Sequence, residues 1–249
     1  MQNQSHIFDE FTMIFSQERL NGYLRHDTCN NSKTDALVAY FWNIELSQAF
    51  YPALQILEIT LRNSMHKVMT ESFQTEYWYE LSFLHNRERA RVNQAKESLK
   101  KDKKPLEIGR VVAELSFCFW TSLFDVRYEH SQVLWPKLLK PTFPFLPKAQ
   151  RTRSFLSREL NRIRVLRNRI FHYEPIWHWR DLPDQHYSII NISRCLSPVA
   201  SKYLSIFDQF PEIYTYGRAQ VKINLGRLLE EWRPQGDSNP CCRRERAVS

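Results

Sequence analysis

The residues best suited to chemistry stand together in the run LRNRIFHYEPIW: Arg167, Asn168 and His172, with Glu174 two positions further on. A guanidinium is a planar, permanently charged fork for anionic oxygens, and an imidazole can take or give a proton near neutral pH. An amide between them can position either partner by hydrogen bonding. The combination suits a phosphate group and proton transfer beside it. Six more arginines precede or interleave with these residues: Arg151, Arg153, Arg158, Arg162, Arg164 and Arg169. Seven of the chain's 35 Lys+Arg thus fall between Arg151 and Arg169, where Glu159 is the only acid. With a net charge of +8, a polyanion is the natural partner to test. A solvated basic face has the same composition, so the placement of the arginines must decide.

One helix is predicted to carry this set. At about 100° per residue, Phe155, Leu156, Leu160, Ile163, Leu166 and Ile170 share one arc, the expected core stripe. Asn161, Val165, Asn168 and His172 occupy the opposite arc. Arg151, Arg158, Arg162 and Arg169 form a ridge on one side of it, and Arg153, Arg164 and Arg167 a ridge on the other. Pro175 disfavours helical geometry at Glu174, which puts His172 in or just past the last turn, where the helix dipole favours positive charge. Glu174 is then placed to orient or charge-couple the imidazole. Arg167 and His172 lie about 140° apart on an ideal helix, so one copy makes no compact site unless the helix unwinds near Phe171.

The remaining elements are read from period and breakers. Phe8 to Leu24 has helical spacing, and the polar stretch from His26 to Asp35 ends it, with Ser32, Thr34 or Asp35 available to cap the next helix. Ala36 to Met69 is a long apolar helix with Pro52 in the middle, predicted to kink or divide there. Its interior face is Leu46, Ala49, Phe50, Leu54, Leu57 and Leu61. Arg62 and His66 share a face near its end; they are read first as structural and second as further contacts to a polyanion. Tyr77 to Phe83 is an interhelical turn, Asn86 to Lys104 a charged helix and loop, and Ile108 to Tyr128 one strongly apolar helix. Leu134 to Pro147, with four prolines, is an extended loop. Leu182 to Phe210 gives one or two helices broken at Pro183 and Pro198, Tyr214 to Gly217 a turn, and 233–249 a disordered tail.

Five glycines against 16 Phe, 11 Tyr and 7 Trp argue against a turn-dense β-sandwich or a glycine-rich nucleotide-binding sheet, and for an all-α fold. The five cysteines include no C-x-x-C pair, which suits a reducing compartment and gives no zinc or redox motif. The stretch MQNQSHIFDEF has no basic segment followed by an apolar one, and no window reaches about 18 consecutive apolar residues. A cytoplasmic protein with no membrane partner is expected. A metal site from His172, Glu174 and His178 lacks helix-face spacing, so no metal and no cofactor are expected.

The run LRNRIFHYEPIW, with YFWNIELSQAFYPALQILEITLRNSMH upstream and VVAELSFCFWTSLF between, resembles the Abi-like abortive-infection family of bacterial phage-defence proteins. The resemblance spans about Arg19 to Tyr216. That family belongs to the HEPN superfamily of helical proteins, whose ribonucleases carry an Arg, usually a polar residue next, four to six intervening positions in all, and then a His. Arg167, Asn168 and His172 match; Arg62 and His66, with three residues between, do not. The resemblance implies a HEPN-like helical bundle with additional N-terminal helices, a single domain over 1–232 with a candidate subdivision near 86–105, and metal-independent cleavage of RNA through the ribose 2′-hydroxyl. His172 would be base or acid, Arg167 would stabilise the phosphorane, and Asn168 would position either. Such ribonucleases generally pair two motifs across a dimer, which implies a homodimer.

Two other readings stand beside the enzyme. One is a catalytically silent module whose basic groove holds a structured noncoding RNA, a partner that could equally restrain a nuclease. The other is a helical interaction protein with no RNA role, for which RNA binding shows no steep salt dependence.

Overall fold

The computed structural model describes residues 2–24 and 33–231, and they form an all-α protein of twelve α-helices and two single-turn 3-10 segments, with no strand among the described residues. The chain divides into two compact units, residues 1–45 with 212–249, and residues 46–211. Both boundaries fall within helices, and residues 86–105 lie wholly inside the larger unit. Most of the expected loop at 26–35 and the expected tail at 233–249 lie outside the described residues.

In the smaller unit, one helix was expected over Phe8–Leu24 and two occur: α1 (Gln2–Phe15) and α2 (Gln17–Leu24). Ser16 takes a φ of 64° between them, and its hydroxyl accepts the Arg19 backbone N–H at 3.3 Å, capping the second helix. The break aims Phe11 and Phe15 at Phe41, and Phe15 and Tyr23 at Tyr40, with ring centroids 4.6–6.4 Å apart; Ile14 is left exposed. Helix α12 (Phe210–Glu231) closes this unit, with Val221 and Leu225 buried. The turn expected at Tyr214 to Gly217 reduces to Gly217 alone, at φ 59° and ψ −155°. A Cβ there would meet nothing within 4 Å, so the backbone conformation is the reason for glycine.

Helix α3 (Lys33–Phe73) runs 41 residues without dividing at Pro52. The proline removes one ladder bond, and the buried face Leu46, Ala49, Phe50, Leu54, Leu57 and Leu61 continues across it as expected. Each leucine and phenylalanine of this face contributes roughly 1.5–3 kcal/mol of burial, which outweighs one missing hydrogen bond of about 1 kcal/mol.

The larger unit continues with a 3-10 turn at Trp78–Glu80 and α4 (Asn86–Lys101). The single helix expected over Ile108–Tyr128 is three: α5 (Ile108–Glu114), α6 (Phe117–Ser122) and α7 (Arg127–His130). Leu115, Phe117, Phe119, Trp120, Leu123 and Phe124 are all buried, more apolar positions than one helical face can hide. Extended backbone at Leu115 and Ser116 lets the chain bury them on successive turns, and the freed Leu115 carbonyl accepts the Trp120 indole N–H at 3.1 Å.

The proline-rich segment expected as an extended loop holds one helical turn, α8 (Leu139–Thr142), and is largely interior. Leu134, Trp135, Leu138, Leu139, Phe143 and Leu146 are buried. Trp135 stacks on Phe124 at 4.6 Å and donates to the Leu123 carbonyl at 2.7 Å. Its prolines stop helices from growing without sending the chain to the surface. A second 3-10 turn (Lys148–Gln150) leads into α9 (Arg153–Phe171), which packs against α6 and α10 (Leu182–Leu196). Pro183 sits in the first turn of α10 and opens that helix instead of breaking it. The break falls at Ser197, whose side chain caps α11 (Pro198–Leu204).

Candidate functional site

Helix α9 is fixed at both ends by its own sequence. Thr152 caps its start, its hydroxyl accepting the Phe155 N–H at 3.2 Å. At the other end His172 is the C-cap residue and Tyr173 turns into the left-handed region at φ 58°. The Tyr173 N–H then reaches the Ile170 carbonyl at 3.1 Å and the Glu174 N–H the Arg169 carbonyl at 2.8 Å, a Schellman closure. A non-glycine residue in this conformation costs about 1–2 kcal/mol, and the helix end is held in spite of it. Leu156, Leu160, Ile163, Leu166 and Ile170 are buried as expected, while Phe155 is only half-buried.

The polar arc opposite that stripe also forms. Asn161, Val165 and His172 are exposed and Asn168 is half-buried. The His172 backbone N–H donates to the Asn168 carbonyl at 2.9 Å, which fixes the two residues one turn apart. Neither the Asn168 amide nor the His172 ring has a hydrogen bond or ion pair to any described residue. Because the helix stays regular through Phe171, the angle of about 140° between Arg167 and His172 stands.

Arg167 is turned toward α3. Its Nε lies 3.5 Å from Glu58 Oε2, and its guanidinium carbon sits 4.2 Å from the Phe171 ring centroid, with the Tyr51 ring 6.0 Å beyond. The Nε is buried and not in hydrogen-bond geometry with Glu58, so an arriving anion can be met only by the Nη groups.

The two rows of arginine do not present seven unpaired guanidinium groups. Arg153 is only 12% exposed, pairs with Glu129 at 2.7 Å and donates to the Phe124 carbonyl. Arg162 pairs with Asp181 at 2.8 Å; burial pushes that carboxyl up, but the hydrogen bonds from Arg162 and Gln185, with the charge of Arg162, hold it below its ordinary value. Arg169 pairs with Glu174 at 3.2 Å and lies over Trp179, so Glu174 faces an arginine and not His172. Arg151 donates to the Leu146 carbonyl at 2.7 Å. Arg158 is 69% exposed, against Glu159 and the Phe155 ring. Arg164 Nε donates to Asn161 at 3.3 Å, and Arg164 has no ion pair with any described residue. The acids that neutralise this helix come from α3, α7 and the chain after α9.

Arg62 and His66 point to separate tasks. Arg62 reaches the Ala113 carbonyl at 3.5 Å, and His66 Nδ1 accepts the indole N–H of the buried Trp78 at 2.9 Å. Burial lowers the His66 pKa below its ordinary value, opposed by the charge of Glu76. An unfolded histidine titrates near 6.5, so this contribution to stability is complete above that pH. It is lost as pH falls through the depressed folded value, because the unfolded state takes up the proton first. Chemical denaturation at pH 7.5 and pH 5 is expected to show lower stability in acid, and His66→Gln, which can still accept from Trp78, is expected to reduce that slope. An unchanged slope would assign the acid sensitivity elsewhere.

Two arrangements escaped sequence reasoning. His186 Nε2 lies 2.9 Å from Asp208 Oδ1, with the ring stacked on Phe210 at 4.4 Å, a nearly buried pair whose partners are too far apart in sequence for any local pattern to reveal. The other is a polar cavity between α4, α6 and α9, lined in part by Ser157, Asn161 and Arg164. Their spacing of four and three along one helical face was the available signal.

No group of three His, Cys, Asp or Glu side chains among the described residues is placed to hold a metal ion. No helix among them is long and apolar enough to cross a membrane. Comparison of the chain with protein-family models, with curated proteins and with solved structures gave no match.

Proposed function

We propose that the protein is an endoribonuclease of the HEPN type, acting in bacterial phage defence, in which His172 is the proton-transfer group. The observation that carries this reading is the end of α9. A histidine held by a strained helix closure is exposed, and its ring has no hydrogen bond or ion pair to any described residue; an equally unpartnered amide lies one turn behind it, with Arg167 one residue earlier on a diverging face. The more buried His66 and His186 spend ring nitrogens on the protein, whereas the exposed ring of His172 is left open to a ligand.

In the proposed reaction the 2′-oxygen of a ribose attacks the adjacent phosphorus, and its proton passes to one imidazole. The bond from phosphorus to the 5′-oxygen breaks, and that oxygen takes a proton from a second imidazole, leaving a 2′,3′-cyclic phosphate. The Nη groups of Arg167 meet the charge that builds on the phosphoryl oxygens, and Asn168 orients the phosphate or the ring. The 2′-hydroxyl requirement makes RNA the substrate. One His172 cannot be base and acid in the same step, and Arg167 diverges from it on the helix. A homodimer with the two α9 ends facing each other supplies both. Val165, Phe171 and Tyr173 are exposed around His172, an apolar rim that suits cover by a second copy.

The requirement for two copies is tested by dilution. Activity per chain is expected to fall as the dimer dissociates, and adding excess His172→Ala protein is expected to suppress wild-type activity by drawing it into dimers that hold a single imidazole. Full activity from a monomer would remove the composite site. RNA is also the expected binding partner in the cytoplasm, and a noncoding RNA seated on the same face would restrain cleavage. The silent RNA-binding alternative shares that surface, but its basic groove is weakened by the acids paired to Arg153, Arg162, Arg167 and Arg169.

A further inference from the structure

We propose that the cavity between α4, α6 and α9 is a binding site for one phosphate group, held by Arg87 and Arg164 with Arg127 as a third, partly neutralised arginine. The cavity has a volume of about 100 Å³ and is lined by these three arginines together with Cys118, Thr121, Ser122, Asp125, Ser157 and Asn161. It suits a tetrahedral oxyanion and is too small for a base and sugar. The guanidinium groups come from three separate elements, and the hydroxyls of Thr121, Ser122 and Ser157 add polar groups to the wall.

The charge balance supports an anion. Asp125 is the only carboxylate in the lining, and it accepts both the backbone N–H and the Nε of Arg127 at 3.0 Å. The buried Glu88 lies 3.7 Å from another nitrogen of Arg127. Arg127 is therefore compensated. Arg164 has no acid, and Arg87 has neither a hydrogen bond nor an ion pair to any described residue. Arg91, one turn after Arg87 on α4, donates to the Cys118 carbonyl at 3.0 Å and is likewise not paired with an acid. Uncompensated guanidinium groups around one small polar cavity repel each other, and a bound phosphate removes that cost. The site is distinct from the end of α9, since Arg164 and His172 are separated by about 12 Å along the helix axis.

Free phosphate and a phosphate carried on an RNA strand present the same chemistry. The deciding experiment is titration of inorganic phosphate into the full chain in chloride buffer, followed by calorimetry, for wild type, Arg87→Gln and Arg164→Gln. Saturable binding of one phosphate per chain is expected, weakened at least tenfold in each variant with thermal melting unchanged. Absence of saturation, or equal affinity in all three proteins, overturns the proposal. A 2′-O-methyl RNA, which cannot be cut, then assigns the source. Competition by inorganic phosphate and weaker RNA binding in both variants identify a strand phosphate as the occupant; RNA affinity equal in all three proteins identifies free phosphate. These readouts measure binding, so they do not depend on the role of His172.

Discussion

Cells expressing His172→Ala are expected to grow normally where the unaltered protein arrests growth, with RNA cleavage reduced by about 10²–10⁴-fold, the usual contribution of a positioned general acid or base. RNA affinity should stay within a factor of a few, because the permanent positive charge is supplied by guanidinium groups and not by the imidazole. Folding should be equally unaffected: His172 is exposed, and the closure of α9 uses backbone groups of Asn168, Arg169 and Ile170. Growth arrest and binding are therefore expected to separate. Unchanged toxicity would take His172 out of the mechanism, and loss of RNA binding together with toxicity would favour the silent binding module.

The second large effect is expected at Arg167. Removing a donor aimed at developing charge typically costs about 10²–10³-fold, and Arg167→Ala should lower cleavage by that amount. Lysine is not an adequate replacement. It offers a point charge where a planar fork is needed, and it would lose the stacking of the guanidinium on Phe171. Glu58, 27% exposed, would lose its partner in Arg167→Ala, so a modest loss of stability is also expected. Denaturant unfolding and single-turnover cleavage, measured on the same preparations, separate the two. Loss of activity in proportion to loss of folded protein would make Arg167 structural.

The parts of this molecule legible in the sequence are those whose physics is local. The buried stripe of α9 follows from the period of Leu156, Leu160, Ile163, Leu166 and Ile170, and the position of His172 follows from Pro175 three residues later. The interior face of α3 was equally readable because Pro52 removes a single bond from a long apolar pattern. The features that could not be read depend on residues distant in the chain. A run containing only Glu159 looks strongly basic, yet Arg153 meets an acid 24 residues before it and Arg162 one 19 residues after it. Arg167 meets Glu58 on another helix. The region from Ile108 to Tyr128 failed for a different reason: a segment apolar on every side has no period to interpret, and the solution was to break the helix so that all sides could be buried. The cavity beside Arg164 combined both difficulties, since Arg87 lies on a helix that reads as a solvated charged face.

These ion pairs change the electrostatic picture of α9. The field that an RNA would meet is not seven parallel positive charges. It comes from Arg87, Arg151 and Arg164, which meet no acid among the described residues, from the exposed Arg158 beside Glu159, and from the Nη groups of Arg167. The salt dependence of RNA binding is therefore expected to be shallower than the arginine count suggests, because each neutralised phosphate contributes its own counterion release.

The most direct measurement is cleavage of RNA by the purified protein in the presence of a chelator, with the new ends sequenced and their chemistry identified. The expected result is discrete cuts carrying 2′,3′-cyclic phosphate on the upstream fragment, absent with His172→Ala protein. Intact RNA under these conditions, or cuts that persist unchanged in His172→Ala, would contradict a ribonuclease built on the end of α9.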